Sequence, residues 1–334
     1  MPGRPTNEAD NYFAFGKQTA KDTEATTFYF VKHLDGTGID FDTSVESERE
    51  GGDAQEVGLR YKSAIAMDGQ AVANARPEVA ARLFAYALGA DAPTAPAGAT
   101  VTHTNDHIAI PTALGSAAAY LTVEQKYTDI IERVSNAQVT RLTVEGEAGR
   151  PIKLTSELIG GGTPYRRSAA ASSLTPTRES GQPFFYPGGS YVIDGAGNTK
   201  ITKFKAEVRR GVDADIRTTQ LFREDVVALN FETDLEFTLK YEDNTLWDKI
   251  HYGAGTVVPI DLATGSFKAL SEFGTGTSSR ELEVNFPVYD YTAVRVNRLD
   301  PDGKTVYLDV TAMGRKTATH QVFTRVQIAS TAAF

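Results

Sequence analysis

Segments of this 334-residue chain recur in the same order about 160 residues apart. Tyr120–Asp129 reads YLTVEQKYTD and Glu281–Asp290 reads ELEVNFPVYD, which aligns Leu121 with Leu282, Val123 with Val284 and Asp129 with Asp290. RLFAYALGA at Arg82–Ala90 recurs as TLWDKIHYG at Thr245–Gly253, with Leu83 against Leu246 and Phe84 against Trp247. GRPIKLT from Gly149 matches GKTVYLD from Gly303. A period this long lies far outside that of solenoids and propellers, so it predicts one domain duplicated once. The first domain is then 1–165, a connector spans 166–190, and the second domain is 191–334. The length fits two cores of ordinary size better than one.

The chain carries a formal net charge of −9. That argues against a protein built to grip nucleic acid, which needs a basic face for phosphates. The charge is uneven: residues 1–165 hold 22 acids against 14 bases. Much of the excess lies in Asp35–Glu56, which includes Asp35, Asp40, Asp42, Glu46, Glu48, Glu50, Asp53 and Glu56 against one base, Arg49. This stretch reads as an acidic, hairpin-like insertion that is solvated or meets a partner. No run of about 18 apolar residues occurs, so no membrane anchor is predicted. The N-terminus lacks an apolar signal-peptide core, which predicts cytoplasmic synthesis. Cysteine is absent, which excludes disulfides and thiolate metal sites.

Alternating apolar residues predict strands in both halves. In the first they are Thr27–Val31, Val57–Met67, Leu121–Tyr127, Val139–Val144 and Ile152–Leu158. In the second they are Tyr191–Ile193, Ile201–Val208, Val226–Tyr241, Glu281–Val288, Tyr291–Leu299, Lys304–Val310 and Gln321–Ile328. Each half offers one helix. Pro77 suits the first helical position, Glu78 complements the dipole, and Val79, Leu83, Tyr86 and Ala87 share a face. In the second half Asp243 or Asn244 can cap, Leu246, Trp247 and Ile250 supply the apolar face, and Gly253 ends the helix. The expected fold is therefore mainly β: two tandem β-sandwich or barrel domains, each with one flanking helix and Trp247 in the core.

Nothing in the chain asks for a catalytic residue, cofactor or metal. His103 and His107 are spaced i, i+4 but flank a loop-like segment without the Glu of a zincin helix. Asp35, Asp40 and Asp42 lack EF-hand spacing and read as a polar turn. Gly195–Lys200 lacks the spacing and following helix of a phosphate loop and reads as a hairpin turn. The connector Gly160–Ser190 is rich in Gly, Ser and Pro, yet it carries Phe184, Phe185 and Tyr186. A free linker has no use for that cluster, so part of the connector is expected to dock. Long alternating strands such as Val226–Tyr241 leave edges that can pair with another copy.

The order of segments resembles the tailed-phage tail tube proteins. The resemblance rests on strands ending in GLRYKSAIAMDGQ, the helix PEVAARLFAYALGA, a variable loop, and YLTVEQKYTDIIERVSNAQVTRLTVEGEAGRPIKLTSELIGGG. It implies a non-enzymatic virion protein whose rings stack into a hollow tube around a tape-measure protein. Tail-end and baseplate proteins are the other partners it implies, and double-stranded DNA passes through the lumen without specific binding. With two domains per chain, three chains would build a pseudo-hexameric ring; six longer chains are the alternative. The acidic residues named above, with Phe184, Phe185 and Tyr186, are the expected inter-subunit or inter-ring contacts. Two other readings compete. One is a carbohydrate-binding β-sandwich module on a virion or cell surface, the other the inner tube of a contractile injection system.

Overall fold

The computed structural model describes residues 11–48, 59–88, 92–94, 101–106, 120–127, 130–161, 165–168, 174, 179, 181–186, 189–216, 221, 223–253, 261–274, 279–296, 306–315 and 323–328. Eighteen strands and two helices make up the regular structure of those residues, a mainly β fold that does not close as a barrel.

One long antiparallel sheet runs through both halves. Its strands, edge to edge, are β3 (Gly38–Glu48), β4 (Leu59–Asn74), β9 (Lys153–Gly160) and the C-terminal part of β8 (Ile130–Glu147). Then follow β13 (Ile201–Ile216), β14 (Arg223–Lys240), β17 (Tyr307–Gly314) and the C-terminal part of β16 (Arg280–Val296). The N-terminal parts of β8 and β16 leave this sheet for a second set of ladders. On β8 these hold β7 (Leu121–Tyr127), β1 (Tyr12–Lys17), β2 (Tyr29–Val31) and β10 (Tyr165–Ser168). On β16 they hold β15 (Thr264–Phe273), β11 (Gly189–Ile193), β12 (Ala196–Gly197) and β18 (Phe323–Ile328). From β18 the sheet continues into β6 (Val101–Asp106) and β5 (Ala92–Thr94).

The pairing pattern occurs twice, down to its irregularities. Ala73 faces Leu154 and Leu154 faces Val144 in the first half; Leu239 faces Leu308 and Leu308 faces Val296 in the second. A register shift falls between Val139 and Arg141 on β8 and between Tyr291 and Ala293 on β16. The second sequence match, on the helices, and the third, leading into β9 and β17, fall on elements with like neighbours. The first does not: β7 opens the hairpin with β8, and its counterpart in the second half is β15, not β16.

Alternation explains the layers. Along β9, Leu154, Ser156, Leu158 and Gly160 are buried while Lys153, Thr155, Glu157 and Ile159 are not. The same period places Leu142 and Val144, Phe204 and Ala206, Leu235 and Phe237, and Leu308 and Val310 on one inward face. One hydrophobic core thus spans both halves, from Phe13 to Val326. A second ladder between the halves is β6–β18, and in the main sheet they join at the β8–β13 ladder. There the Phe204 ring covers Gly146, its directly opposite residue, and a Cβ on Gly146 would lie 2.3 Å from a ring carbon.

Helix α1 (Pro77–Leu88) packs against β8, β6, β18 and β16, and ten of its twelve residues are buried. Its spacing explains the face turned to its own half; the second half covers the rest. Helix α2 (Thr245–Tyr252) has no buried residue. Its Leu246, Trp247 and Ile250 lie partly buried against the core, so Trp247 is not the core residue the sequence suggested. Asp243, not Asn244, supplies the side-chain cap: its Oδ1 accepts from Thr245 N at 2.9 Å.

Other differences from the sequence reading are specific. Glu281–Val288 and Tyr291–Leu299 are one strand through Val296, because no turn residue interrupts them. β1 and β3 were not read as strands. The acidic residues of β3 alternate with Ile39, Phe41, Thr43 and Val45, and it is this alternation that pairs with β4. Asp194 and Gly195, with φ of 53° and 79°, form the tight turn read at Gly195.

Candidate assembly surfaces

The outward face of the main sheet is charged from strand to strand. Arg141 Nη1 lies 2.9 Å from Glu157 Oε1 and its Nε lies 3.0 Å from Glu207 Oε1. Lys205 Nζ approaches Glu207 Oε2 at 3.0 Å, and Arg209 contacts Asp234. The hydrogen bond to Glu207 raises the Lys205 ammonium above its ordinary pKa. The basic partners are 38–40% exposed, so water screens these pairs and each is worth about 0–1 kcal/mol. Their effect is directional: they tie β9, β8, β13 and β14 across the junction. Glu145, Glu147, Glu236 and Asp309 line a neighbouring cavity of about 740 Å³ with Lys153, Lys203 and Lys205.

The predicted contact residues divide. Asp35 sits in the turn before β3, and Asp40, Asp42 and Glu46 are exposed along that strand, which also contains Glu48. Glu50, Asp53 and Glu56 lie outside the described residues. The acidic stretch is thus in part a sheet strand, not a dispensable loop. Among the described residues no cluster of three or more His, Asp or Glu could hold a metal ion. His103 stands on β6 opposite Val326, and His107 lies outside the described residues.

The aromatic cluster docks inside its own chain. Phe184 is fully buried beside Phe273, and Tyr186 is buried with its ring stacked on Tyr191 and its hydroxyl donating to Ile201 O. Phe184 N donates to Ala75 O and Ile152 N to Phe184 O, both at 2.8 Å. Of the three, Phe185 alone, 38% exposed, offers surface to another subunit. The connector also supplies a residue the sequence did not flag. Glu179 accepts from Glu78 N at 3.1 Å, Val79 N at 3.4 Å and Tyr29 Oη at 2.9 Å, closing the N-terminus of α1. Burial, then the Glu179 charge, pushes the Tyr29 hydroxyl far up.

Two edges of the main sheet end without a strand among the described residues. On β3 the side away from β4 is met by Gln125: Ile39 N donates to its Oε1 at 2.7 Å, and its Nε2 donates to Ile39 O at 2.8 Å. On β16 the side away from β17 is covered by β15 through Asp290, and Tyr291 N donates to Ala263 O at 2.9 Å. Beyond it, Thr292–Val296 has no partner strand on that side among the described residues, and Val296 is 45% exposed. Sequence alternation marked β16 but not β3, and carried no sign that either was terminal.

No helix among the described residues is long and apolar enough to cross a membrane. No curated protein matches the sequence. The family model described as phage tail tube protein matches residues 9–317, nearly the whole chain. The chain therefore belongs to the phage tail tube protein family, a structural, non-enzymatic component of the virion tail.

Proposed function

We propose that this chain is a tube subunit carrying two tandem copies of one tube domain, so that three chains form a ring of six similar positions. The doubled pairing pattern carries the reading. β1–β4 and β7–β10 pair with one another as β11–β14 and β15–β18 do, with α1 and α2 at the same place in the order, and both copies carry the same register shift. The copies meet in the main sheet through β8 and β13, with Phe184 and Tyr186 of the connector docked beside that junction. Rings stack into a tube around a tape-measure protein, tail-end and baseplate proteins close it, and DNA passes along the lumen. The charged face of the main sheet lines that lumen. With acids in excess over bases there, it repels phosphate and holds DNA only weakly.

Electron microscopy of the concentrated protein tests this reading. Hollow tubes with a regular axial repeat are the expected result. Particles that stay monomeric at every concentration, with no tube in tails assembled from this chain, would sink it.

A further inference from the structure

We infer that neighbouring chains join by antiparallel pairing of β3 of one chain with Thr292–Val296 of β16 in a second copy of this chain, in a register that sets Asp40 opposite Arg295. The inference rests on the duplicated tube-subunit reading and adds the residues that close the ring.

The template is inside the molecule. β8 is flanked by β9 on one side and β13 on the other. Its counterpart, the C-terminal part of β16, is flanked by β17, and among the described residues the other side is open from Thr292. β13 is flanked by β14 and β8, whereas its counterpart β3 is flanked by β4 and, among the described residues, by no other strand. Each chain therefore presents one copy of each half of the β8–β13 joint at opposite ends of its main sheet. Such a head-to-tail contact uses two different surfaces and closes as a ring when the rotation permits.

The register follows from the rows. Ile39 faces Gly69 and Gly69 faces Leu158; Ala206 faces Leu235 and Leu235 faces Ala312. Since Leu154 corresponds to Leu308, Leu158 corresponds to Ala312, and Ile39 to Ala206. Ala206 pairs with Val144, Glu207 with Thr143 and Val208 with Leu142. Transferred to the open edges, this sets Ile39 against Val296, Asp40 against Arg295 and Phe41 against Val294.

The side chains fit that register. Ile39 and Phe41 belong to the core side, as do Val144 and Leu142 in the template, and Val294 packs against the same core. Val144 is 3% exposed, but its counterpart Val296, with no strand on the side away from β17 among the described residues, is 45% exposed. Asp40 and Arg295 are both exposed, and Arg295 has no ion pair among the described residues. Opposite charges directly across a ladder stabilise it. The helices give independent support. α1 is covered by β18 and β6 from beyond the β8–β13 joint, while α2, with no buried residue, awaits the same cover from the next chain. In the free chain the Gln125 amide occupies the polar groups of Ile39. Joining exchanges those two hydrogen bonds for the backbone of Val296.

The chain has no cysteine, so a paired substitution reads the joint directly. Asp40→Cys with Arg295→Cys places two thiols on directly opposed residues, close enough for a cross-strand disulfide. Oxidised tubes of this variant should yield covalent dimers and ring-sized oligomers in denaturing gels, and each single variant should stay monomeric. Normal tubes without cross-links would overturn the joint while leaving the tube reading intact. Charge reversal gives a second readout should the cysteine pair fail to assemble. Asp40→Arg and Arg295→Asp should each abolish tube formation in folded protein, and the double variant should restore it. A double variant that fails as the singles do also overturns the joint.

Discussion

Thr140 and Thr292 occupy the same place in two matching ladders and make the same hydrogen bond. Thr140 Oγ1 donates to Glu157 O at 3.4 Å, and Thr292 Oγ1 donates to Thr311 O at 3.1 Å. Each is the extra residue at a bulge, where one strand carries two residues against one. A bulge re-aims the strand beyond it. Here it lets one long strand serve both the main sheet and the second set of ladders.

Removing either hydroxyl should loosen that bend. Thr140→Val should cost about 0.5–1.5 kcal/mol, and Thr292→Val less, because Thr292 is exposed in the free chain. The sites lie in separate ladders, so the double variant should be additive to within about 0.5 kcal/mol. Denaturant unfolding of the four proteins checks both statements.

The junction between halves depends on the absence of a side chain at Gly146. Gly146→Ala brings a methyl into the Phe204 ring, and Tyr186 closes the other side at 2.9 Å. Overpacking of this kind costs about 1–3 kcal/mol. The loss should appear as a lower Tm with the secondary structure retained by circular dichroism.

Adjacent aromatics of the connector should separate cleanly. Phe184→Ala empties a fully buried position and should cost about 3–5 kcal/mol. Phe185→Ala, at a half-exposed position, should change stability by no more than about 0.5 kcal/mol. Equal losses at the two sites would contradict the docking described for the connector.

Much of this was legible in the sequence, and the failures have physical causes. The strands of the inward face were visible because Leu154, Leu158, Phe204, Leu235 and Leu308 repeat at period two. The third match, from Gly149 and Gly303, lands on equivalent strands: it sets Leu154 of β9 against Leu308 of β17, which face Val144 and Val296 in matching ladders. Tyr120–Asp129 was matched to the wrong strand because any two alternating runs resemble one another whatever their neighbours. β3 was hidden by its acids: a strand at the end of a sheet exposes one face and one edge, so half its residues are free to be charged. Glu179 could not be foreseen, since its partners at Glu78 and Val79 are brought to it only by the docked connector.

Glu179 also makes stability depend on pH in a traceable way. Burial raises its carboxyl above the ordinary 4.5, against the opposing pull of the Glu78 and Val79 N–H groups and the Tyr29 hydroxyl. The folded chain thus binds a proton there more readily than the unfolded chain. Wild type should gain stability relative to Glu179→Gln as pH falls from the raised value towards 4.5, with no further change below. A Tm difference that stays flat across that window would contradict the assignment.

The central claim is that one chain fills two adjacent places in the tube wall. The number of chains in each ring measures it, by cryo-electron microscopy of assembled tubes or by mass per unit length combined with the axial repeat. Three chains per ring, with near-sixfold density around the lumen, is the predicted result. Six chains per ring would contradict it.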